Sequence, residues 1–178
     1  MQSKERMDKA KETKISALVM AALIIALSFV PIQSWQSVGI YAGCPTANRF
    51  LYPLFHANLL HAALNSWCML SVVFIYHTSI YRHAAAYLIA ASTPVHTLSL
   101  LFPSMLVPTV GYSGVVFALF GSISFEVQRK VYYQLWMIFY LATGFLFPNT
   151  NACLHLYCYL AGLVIALFVK PIKIAHNE

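Results

Sequence analysis

Six long apolar stretches constrain this 178-residue chain more than any other feature of its sequence. They cover residues 15–32, 54–76, 84–102, 113–126, 131–147 and 153–169. With 60% hydrophobic and 9% charged residues, the chain has more apolar surface than a soluble core of this size could bury. The stretches therefore predict an all-α, polytopic membrane protein in which six transmembrane helices form one bundle without strands.

Basic residues orient the predicted bundle, because lysine and arginine collect on the cytoplasmic side of a membrane. Ten of the 11 fall before the first helix, between the second and third, between the fourth and fifth, or after the sixth. Only Arg49 falls on the other side. Both termini are therefore expected in the cytoplasm, as charged tails at 1–14 and 171–178 around a membrane domain at 15–170. The net charge of +6 is scattered among short loops, so it does not indicate a nucleic-acid partner.

The first apolar stretch follows a basic segment, as a signal peptide would. Its run is longer than the apolar core of a signal peptide and no small-residue cleavage site follows, so it is interpreted as a retained helix. Residues 33–53 then form the one sizeable outer loop, whose aromatic residues suit a membrane interface.

The four cysteines show no metal-ligand spacing, so no metal site is predicted. A disulfide between Cys44 and Cys153, which both fall near the outer face, is left open. Three histidines at predicted cytoplasmic ends are expected to be solvated: His77, His83 and His176. His96 follows a Thr-Pro pair inside the third predicted helix and is interpreted as a structural residue at a kink.

The apolar segment that begins at Gly111-Tyr112-Ser113-Gly114 is unusually short. Crossing a membrane needs about 20 apolar residues, but only residues 113–125 separate this motif from the charged residue Glu126. A helix that begins at Ser113 therefore begins below the membrane surface. Non-helical backbone at that depth is tolerated only inside protein or along a watery cavity. The motif is thus expected to place a serine hydroxyl in a hydrated pocket within the membrane.

Four polar residues from three predicted helices are expected at a similar depth. Counting 1.5 Å per residue from the cytoplasmic charges places Ser113, His155 and Asn65 roughly 20 to 25 Å from that side. In a hydrocarbon core about 30 Å thick this is the outer half, and His61 lies one turn above Asn65. Polar groups at such depth are costly, so these residues are functional candidates.

Ser113 and His155 together supply the two groups needed for nucleophilic acyl transfer, a hydroxyl and a base that removes its proton. Glu126 is the one acid inside the apolar region, and it is predicted to lie too far away to orient the imidazole. A Ser-His dyad is therefore predicted. Phe117, one turn below Ser113, is placed to stack on the histidine ring.

An acyl transfer also needs donors for the oxyanion of its tetrahedral intermediate. His61 and Asn65 are spaced i and i+4, so they share one helix face and could form the oxyanion hole with the Ser113 amide. His56 falls at the mouth of the same helix, and together with Gly111 it is assigned to the oxyanion and substrate-binding side of the site.

Small residues predict that two of the helices approach each other closely. Gly114, Ala118 and Gly121 form a stripe on the fourth helix, and Gly162 and Ala166 form a pair on the sixth. Close approach there would bring Ser113 within hydrogen-bond reach of His155.

Three motifs follow in order on alternate predicted helices, and together they resemble those of the rhomboid family of intramembrane serine proteases. They are His56-x4-His61-x3-Asn65, Gly111-Tyr112-Ser113-Gly114, and His155 with Gly162 seven residues later. The likeness spans roughly residues 15–170. It implies that Ser113 is the nucleophile and His155 the general base. It also implies that His61 and Asn65 complete the oxyanion hole with the Ser113 amide, with His56 as a helper.

The resemblance implies a compact six-helix protease of the bacterial type. Such an enzyme cleaves single-span transmembrane proteins near their outer end, after lateral entry between the second and fifth helices. The expected partners are these substrates and the lipid bilayer, the expected location is the bacterial inner membrane, and no metal or organic cofactor is expected. Three departures stand out: a short outer loop without the family's Trp-Arg pair, Phe117 in place of a frequent tyrosine, and Cys158 in place of a usual glycine. Cys158 is expected to widen the gap between the fourth and sixth helices.

Two other functional classes stay open. A catalytically inactive rhomboid-like protein could bind or escort transmembrane clients, although such proteins usually lack the serine or histidine present here. A small channel or transporter would also place polar groups within the membrane. That class leaves the pairing of Ser113 with His155 unexplained.

Overall fold

The computed structural model describes residues 2–76, 78–147 and 150–168. These residues form eight α-helices: α1 (Gln2–Leu27), α2 (Thr46–Leu51), α3 (Leu59–Tyr76), α4 (Ile80–Ala91), α5 (Val95–Ser99), α6 (Ser113–Ser122), α7 (Lys130–Gly144) and α8 (Ala152–Phe168). Within the described ranges there is no strand, and one isolated bridge pairs Ile40 with Thr109. The all-α prediction is therefore confirmed. The predicted tail at 171–178, His77 and His176 lie outside the described residues.

The first helix differs from its prediction at both ends. α1 begins at Gln2, so the segment predicted as a charged tail is largely helical, and its Ala10 and Thr13 are buried. Lysine, glutamate and alanine are good helix formers, which explains the early start. The helix ends at Leu27 and not at residue 32, shortly before Pro31, whose ring disfavours helical backbone in the residue before it.

The third predicted helix, at 84–102, is wrong as a single element, because the structure divides it into α4 and α5. Pro94 lies at the break, where it cannot donate an N–H and disfavours helical backbone at Thr93. The buried Thr93 hydroxyl donates to the Ala90 carbonyl at 2.8 Å. Arg49 on α2 donates to the Thr93 carbonyl, also at 2.8 Å. The polar groups released by the break are thus satisfied within the protein.

The other four predicted helices are present with shifted ends, as α3, α6, α7 and α8. Among the described residues, α3 is the one helix long and apolar enough to cross a membrane by length and composition, while α6 and α8 are shorter apolar helices. Large apolar side chains such as Leu60, Trp67 and Leu135 are exposed on the outside of the bundle. The six-span arrangement and the side of the termini stay predictions.

α6 lies at the centre of the bundle and packs against α3, α4 and α8. Its contact with α8 is backbone to backbone, as the small residues predict. A Cβ atom added at Gly162 would lie 2.2 Å from the Ala118 carbonyl oxygen, and one added at Gly121 would lie 2.2 Å from the Tyr159 carbonyl oxygen. Glycine is required at both positions by this close approach.

Two consecutive residues of α4 are buried against the segment that contains α6. Arg82 is fully buried, and its Nη2 lies 2.6 Å from Glu126 Oε1. His83 is 8% exposed, and its Nε2 forms a 2.9 Å hydrogen bond with the Tyr112 hydroxyl. The expectation of a solvated His83 is wrong, because α4 begins at Ile80 and packs directly against α6.

The cysteines are all free thiols, so the disulfide left open between Cys44 and Cys153 is not formed. Cys158 is fully buried, with its sulfur 4.0 Å from the Thr93 hydroxyl oxygen.

Candidate active site

The turn before α6 is held by the segment that connects α2 to α3. The Gly111 N–H donates to the Tyr52 carbonyl at 2.9 Å, and the Tyr112 N–H donates to His56 Nε2 at 3.1 Å. Gly111 has a φ of +126°, a conformation that side chains rarely allow. The chain can therefore turn sharply and begin α6 at Ser113. Because the first N–H groups of a helix have no partner within it, the Ser113 amide makes no hydrogen bond inside α6.

Ser113 and His155 lie in direct contact across α6 and α8. The Ser113 Oγ is 2.8 Å from His155 Nε2. The Phe117 ring stacks on the imidazole, with centroids 4.4 Å apart and planes inclined by 18°. Glu126 is engaged by Arg82 beyond the far end of α6, so it is not a third member of this pair. The arrangement therefore joins a hydroxyl to an imidazole whose face is covered by an aromatic ring.

Asn151 connects the start of α8 to the loop before α6. Its side-chain oxygen accepts a hydrogen bond from the Leu154 N–H at 3.2 Å, which caps the helix. Its side-chain nitrogen donates to the Thr109 hydroxyl at 2.9 Å. Both bonds fix the beginning of α8 relative to the Ser113 turn, and His155 follows one helical turn after the cap.

His61 and Asn65 converge on Gly111 from α3. A Cβ atom added at Gly111 would lie 2.9 Å from His61 Nε2 and 3.6 Å from Asn65 Nδ2. The Asn65 nitrogen is buried and has no hydrogen-bond partner in the part of the chain that the structure describes. An unpartnered donor is costly inside a protein, so its presence beside the Ser113 turn indicates a site for an acceptor. Asn58 orients this helix face by accepting the His61 N–H at 2.8 Å.

His56 lies beside the same turn but is engaged differently from His61. Its Nε2 accepts the Tyr112 N–H, and its ring meets the His61 ring edge to face at a centroid distance of 4.9 Å. His56 therefore holds the backbone of the turn through its Nε2 atom.

The small residues near the pair pack as expected. A Cβ atom at Gly114 would lie 2.8 Å from the Tyr52 hydroxyl and 2.9 Å from Leu154 Cδ2. Both distances are shorter than van der Waals contact, so a larger residue would force its neighbours to move. The same atom would lie 3.4 Å from Cys158 Sγ. Although Cys158 was expected to widen the gap between these helices, the Ser113 and His155 side chains are in contact beside it.

A partly polar cavity of about 310 Å³ opens next to the site. Its lining residues come from the outer loop, α3 and the two loops that precede α6 and α8, and they include Trp35, His61, Ser104, Thr109 and Asn151. Polar groups thus line a cavity that reaches His61 and the loop before Ser113. No group of side chains that could hold a metal ion occurs within the described ranges.

Sequence reasoning missed several residues that build the site. Tyr52 accepts the Gly111 N–H, Asn151 fixes α8, and His83 bonds the hydroxyl of Tyr112, a motif residue whose side chain had been assigned no role. Asn151 had a readable signal, since an asparagine directly before an apolar helix is a common cap. The contacts of Tyr52 and His83 have no local signal, because their partners are distant in sequence.

A family model described as the rhomboid domain matches residues 46–172, which cover well over half of the chain and all three motifs. Comparison with curated proteins gives no match, and neither does comparison with solved structures.

Proposed function

Because the chain belongs to the rhomboid family, we propose that it is an intramembrane serine endopeptidase with Ser113 and His155 as its catalytic dyad. Rhomboid proteins are integral membrane proteins, and most are proteases, although inactive members exist. The observation that carries the proposal is the 2.8 Å contact between Ser113 Oγ and His155 Nε2. A nucleophile within hydrogen-bond reach of its base is the arrangement that covalent catalysis requires.

In the proposed reaction, the Ser113 oxygen attacks the carbonyl carbon of a substrate peptide bond while its proton passes to His155 Nε2. The imidazolium then gives this proton to the leaving nitrogen, and the peptide bond breaks to leave an acyl-enzyme. A water molecule attacks the acyl carbon with His155 again as base. The new carboxylic acid departs and Ser113 recovers its proton.

Three donors are proposed for the oxyanion: the Ser113 amide, His61 and Asn65. The support is the close approach of His61 and Asn65 to Gly111, two residues before Ser113, where a Cβ atom would lie 2.9 Å from His61 Nε2 and 3.6 Å from Asn65 Nδ2. One such donor contributes about 10² to 10³ in rate. The Asn65 nitrogen has no hydrogen-bond partner among the described residues, so it fits this role, in which a bound substrate would supply an acceptor.

Phe117 is proposed to orient the imidazole in the absence of a carboxylate. Its ring lies nearly parallel to that of His155, so it restricts rotation of the base without adding charge. A stacked aromatic ring also excludes water from one face of the histidine.

We further propose that the substrates are single-span membrane proteins cut near their outer end. This proposal is supported by the position of Ser113 at the start of a short apolar helix and by the apolar exterior of the bundle. Six spans with both termini in the cytoplasm of a bacterial cell fit the distribution of basic residues.

The test is cleavage of a single-span substrate by the full chain in liposomes. Wild type should cleave, whereas Ser113→Ala and His155→Ala should each lower the rate by at least about 10³. Ser122→Ala is a matched control, because that hydroxyl lies on the same helix and donates to the Leu119 carbonyl at 2.7 Å. It should retain the wild-type rate.

Labelling by a fluorophosphonate gives a second, substrate-free measurement. Wild type and Ser122→Ala should be labelled, and Ser113→Ala should not. Cleavage that survives both dyad substitutions would refute the proposal. Substrate binding without cleavage or labelling in any form would favour the inactive, client-binding alternative.

A further inference from the structure

We propose that the buried hydrogen bond between His83 and Tyr112 positions the Ser113 nucleophile. His83 and Tyr112 would then be positioning residues of the proposed protease site. This inference rests on the proposed function and extends it to α4, a helix that contributes none of the proposed catalytic groups.

Tyr112 directly precedes Ser113 and is held at two points. Its backbone N–H donates to His56 Nε2 at 3.1 Å, and its hydroxyl lies 2.9 Å from His83 Nε2. The side chain is completely buried. A shift of the Tyr112 ring would therefore be transmitted through one peptide unit to Ser113.

The buried Tyr112 ring has a cavity on one side. An apolar cavity of about 380 Å³ borders it, lined by α1 residues Ser16 and Met20 and by residues of α4 that include Ala84, Tyr87 and Leu88. Side chains beside open space lose the contacts that would otherwise hold them in one position. The hydrogen bond to His83 adds a directional restraint that apolar packing does not supply.

α4 is well suited to serve as the fixed reference. His83 holds the residue just before α6, and the adjacent Arg82 forms a 2.6 Å ion pair with Glu126, beyond the end of α6. Consecutive residues of α4 therefore restrain the chain at both sides of α6. Sliding or rotation of α6 would carry the Ser113 oxygen away from His155. The same motion would break the His83–Tyr112 hydrogen bond or the Arg82–Glu126 ion pair. Displacing reacting groups by about 1 Å can cost 10²-fold in rate.

A role in folding alone would predict a different pattern. It would lower the amount of folded protein and leave the reactivity of each folded molecule unchanged. A positioning role lowers kcat and the rate of Ser113 labelling in molecules that remain folded. KM should change little, because the Tyr112 hydroxyl is buried against His83 and is not among the proposed substrate-binding groups.

The test compares Tyr112→Phe, His83→Leu and the double variant of the full chain in liposomes. Each single variant should lower kcat about 10-fold, with KM within about twofold, because one buried hydrogen bond is lost. Fluorophosphonate labelling of Ser113 should slow in parallel. The double variant should be no slower than the singles, since both remove the same bond. His83→Gln should recover part of the rate, because its amide can still bond to the hydroxyl.

Tyr81→Phe is the matched control, since Tyr81 lies on α4 two residues from His83 but is 76% exposed. It should behave as wild type. The inference is overturned if wild type cleaves while Tyr112→Phe and His83→Leu match it in kcat and labelling. It is also overturned if their losses disappear after correction for the folded fraction, or if the two losses multiply in the double variant. A wild type that neither cleaves nor labels refutes the proposed function itself, and this inference with it.

Discussion

A single methyl group added at Gly162 should separate the proposed catalytic pair, although this residue lies seven positions after His155. The Cβ atom of Gly162→Ala would lie 2.2 Å from the Ala118 carbonyl oxygen and 2.9 Å from the carbonyl carbon. Ordinary contact begins at 3.4 Å. These neighbours are backbone atoms in the middle of α6 and cannot rotate away, so α8 must retreat from α6 by about 1.2 Å, which is 3.4 minus 2.2 Å.

The effect on the site follows from the helix geometry. Gly162 is about 10 Å along the helix axis from His155, and a helix of this length moves nearly as a rigid rod. A retreat of about 1.2 Å would lengthen the 2.8 Å Ser113–His155 contact to roughly 4 Å, beyond the range of a hydrogen bond. We expect kcat to fall about 100-fold. Overpacking should also lower the free energy of unfolding by about 1 to 3 kcal/mol, partly offset by the better helix propensity of alanine.

The assay is steady-state cleavage in liposomes together with the rate of fluorophosphonate labelling and thermal unfolding in detergent. Gly144→Ala on α7 is the matched control, because its Cβ atom would lie 3.3 Å from Ala152 Cβ and 3.6 Å from Thr150 Cγ2. It should keep the rate within about twofold of wild type. A Gly162→Ala variant that cleaves and unfolds like wild type would refute the argument that backbone contact sets the distance between the pair.

Three further predictions address the turn, the oxyanion donors and the buried ion pair. Gly111→Ala should lower kcat by about 10² or more. The alanine would have to adopt a φ of +126°, and its Cβ atom would lie 2.7 Å from the His61 ring. Unchanged cleavage would contradict this geometry. Asn65→Ala should lower kcat by about 10² to 10³ with little change in thermal unfolding, since the lost nitrogen has no partner among the described residues. A loss of stability without a loss of kcat would oppose that role. Glu126→Leu should destabilise the protein by about 3 to 5 kcal/mol, because it removes the carboxylate that lies 2.6 Å from the buried Arg82 guanidinium. Arg82→Met together with Glu126→Leu should recover most of this stability in unfolding experiments. Equal unfolding of the single and double variants would argue against the pair.

The limits of sequence reasoning are clearest at α4. Pro94 indicated a potential break, yet the apolar run around it led to one predicted helix. A break leaves the Thr93 carbonyl without a helical partner, and local composition does not reveal that Arg49 will bind it. His83 was expected in solvent, since it follows a basic residue at a predicted helix end. Its burial depends on which face of α4 meets α6, and that is decided by contacts between residues far apart in sequence.

The amino-acid sequence by itself determined the class of protein, the helical fold and the residues that carry the proposed chemistry. It could do so because apolar run length, helical spacing and helix-end residues act locally, within a few turns of each chemical group. Only the tertiary structure decided that Ser113 and His155 touch, that Gly121 and Gly162 set the approach of their helices, and that His83 holds Tyr112. These contacts join residues 29 to 42 positions apart in the sequence. They depend on the steric fit between whole helices, which local sequence does not specify.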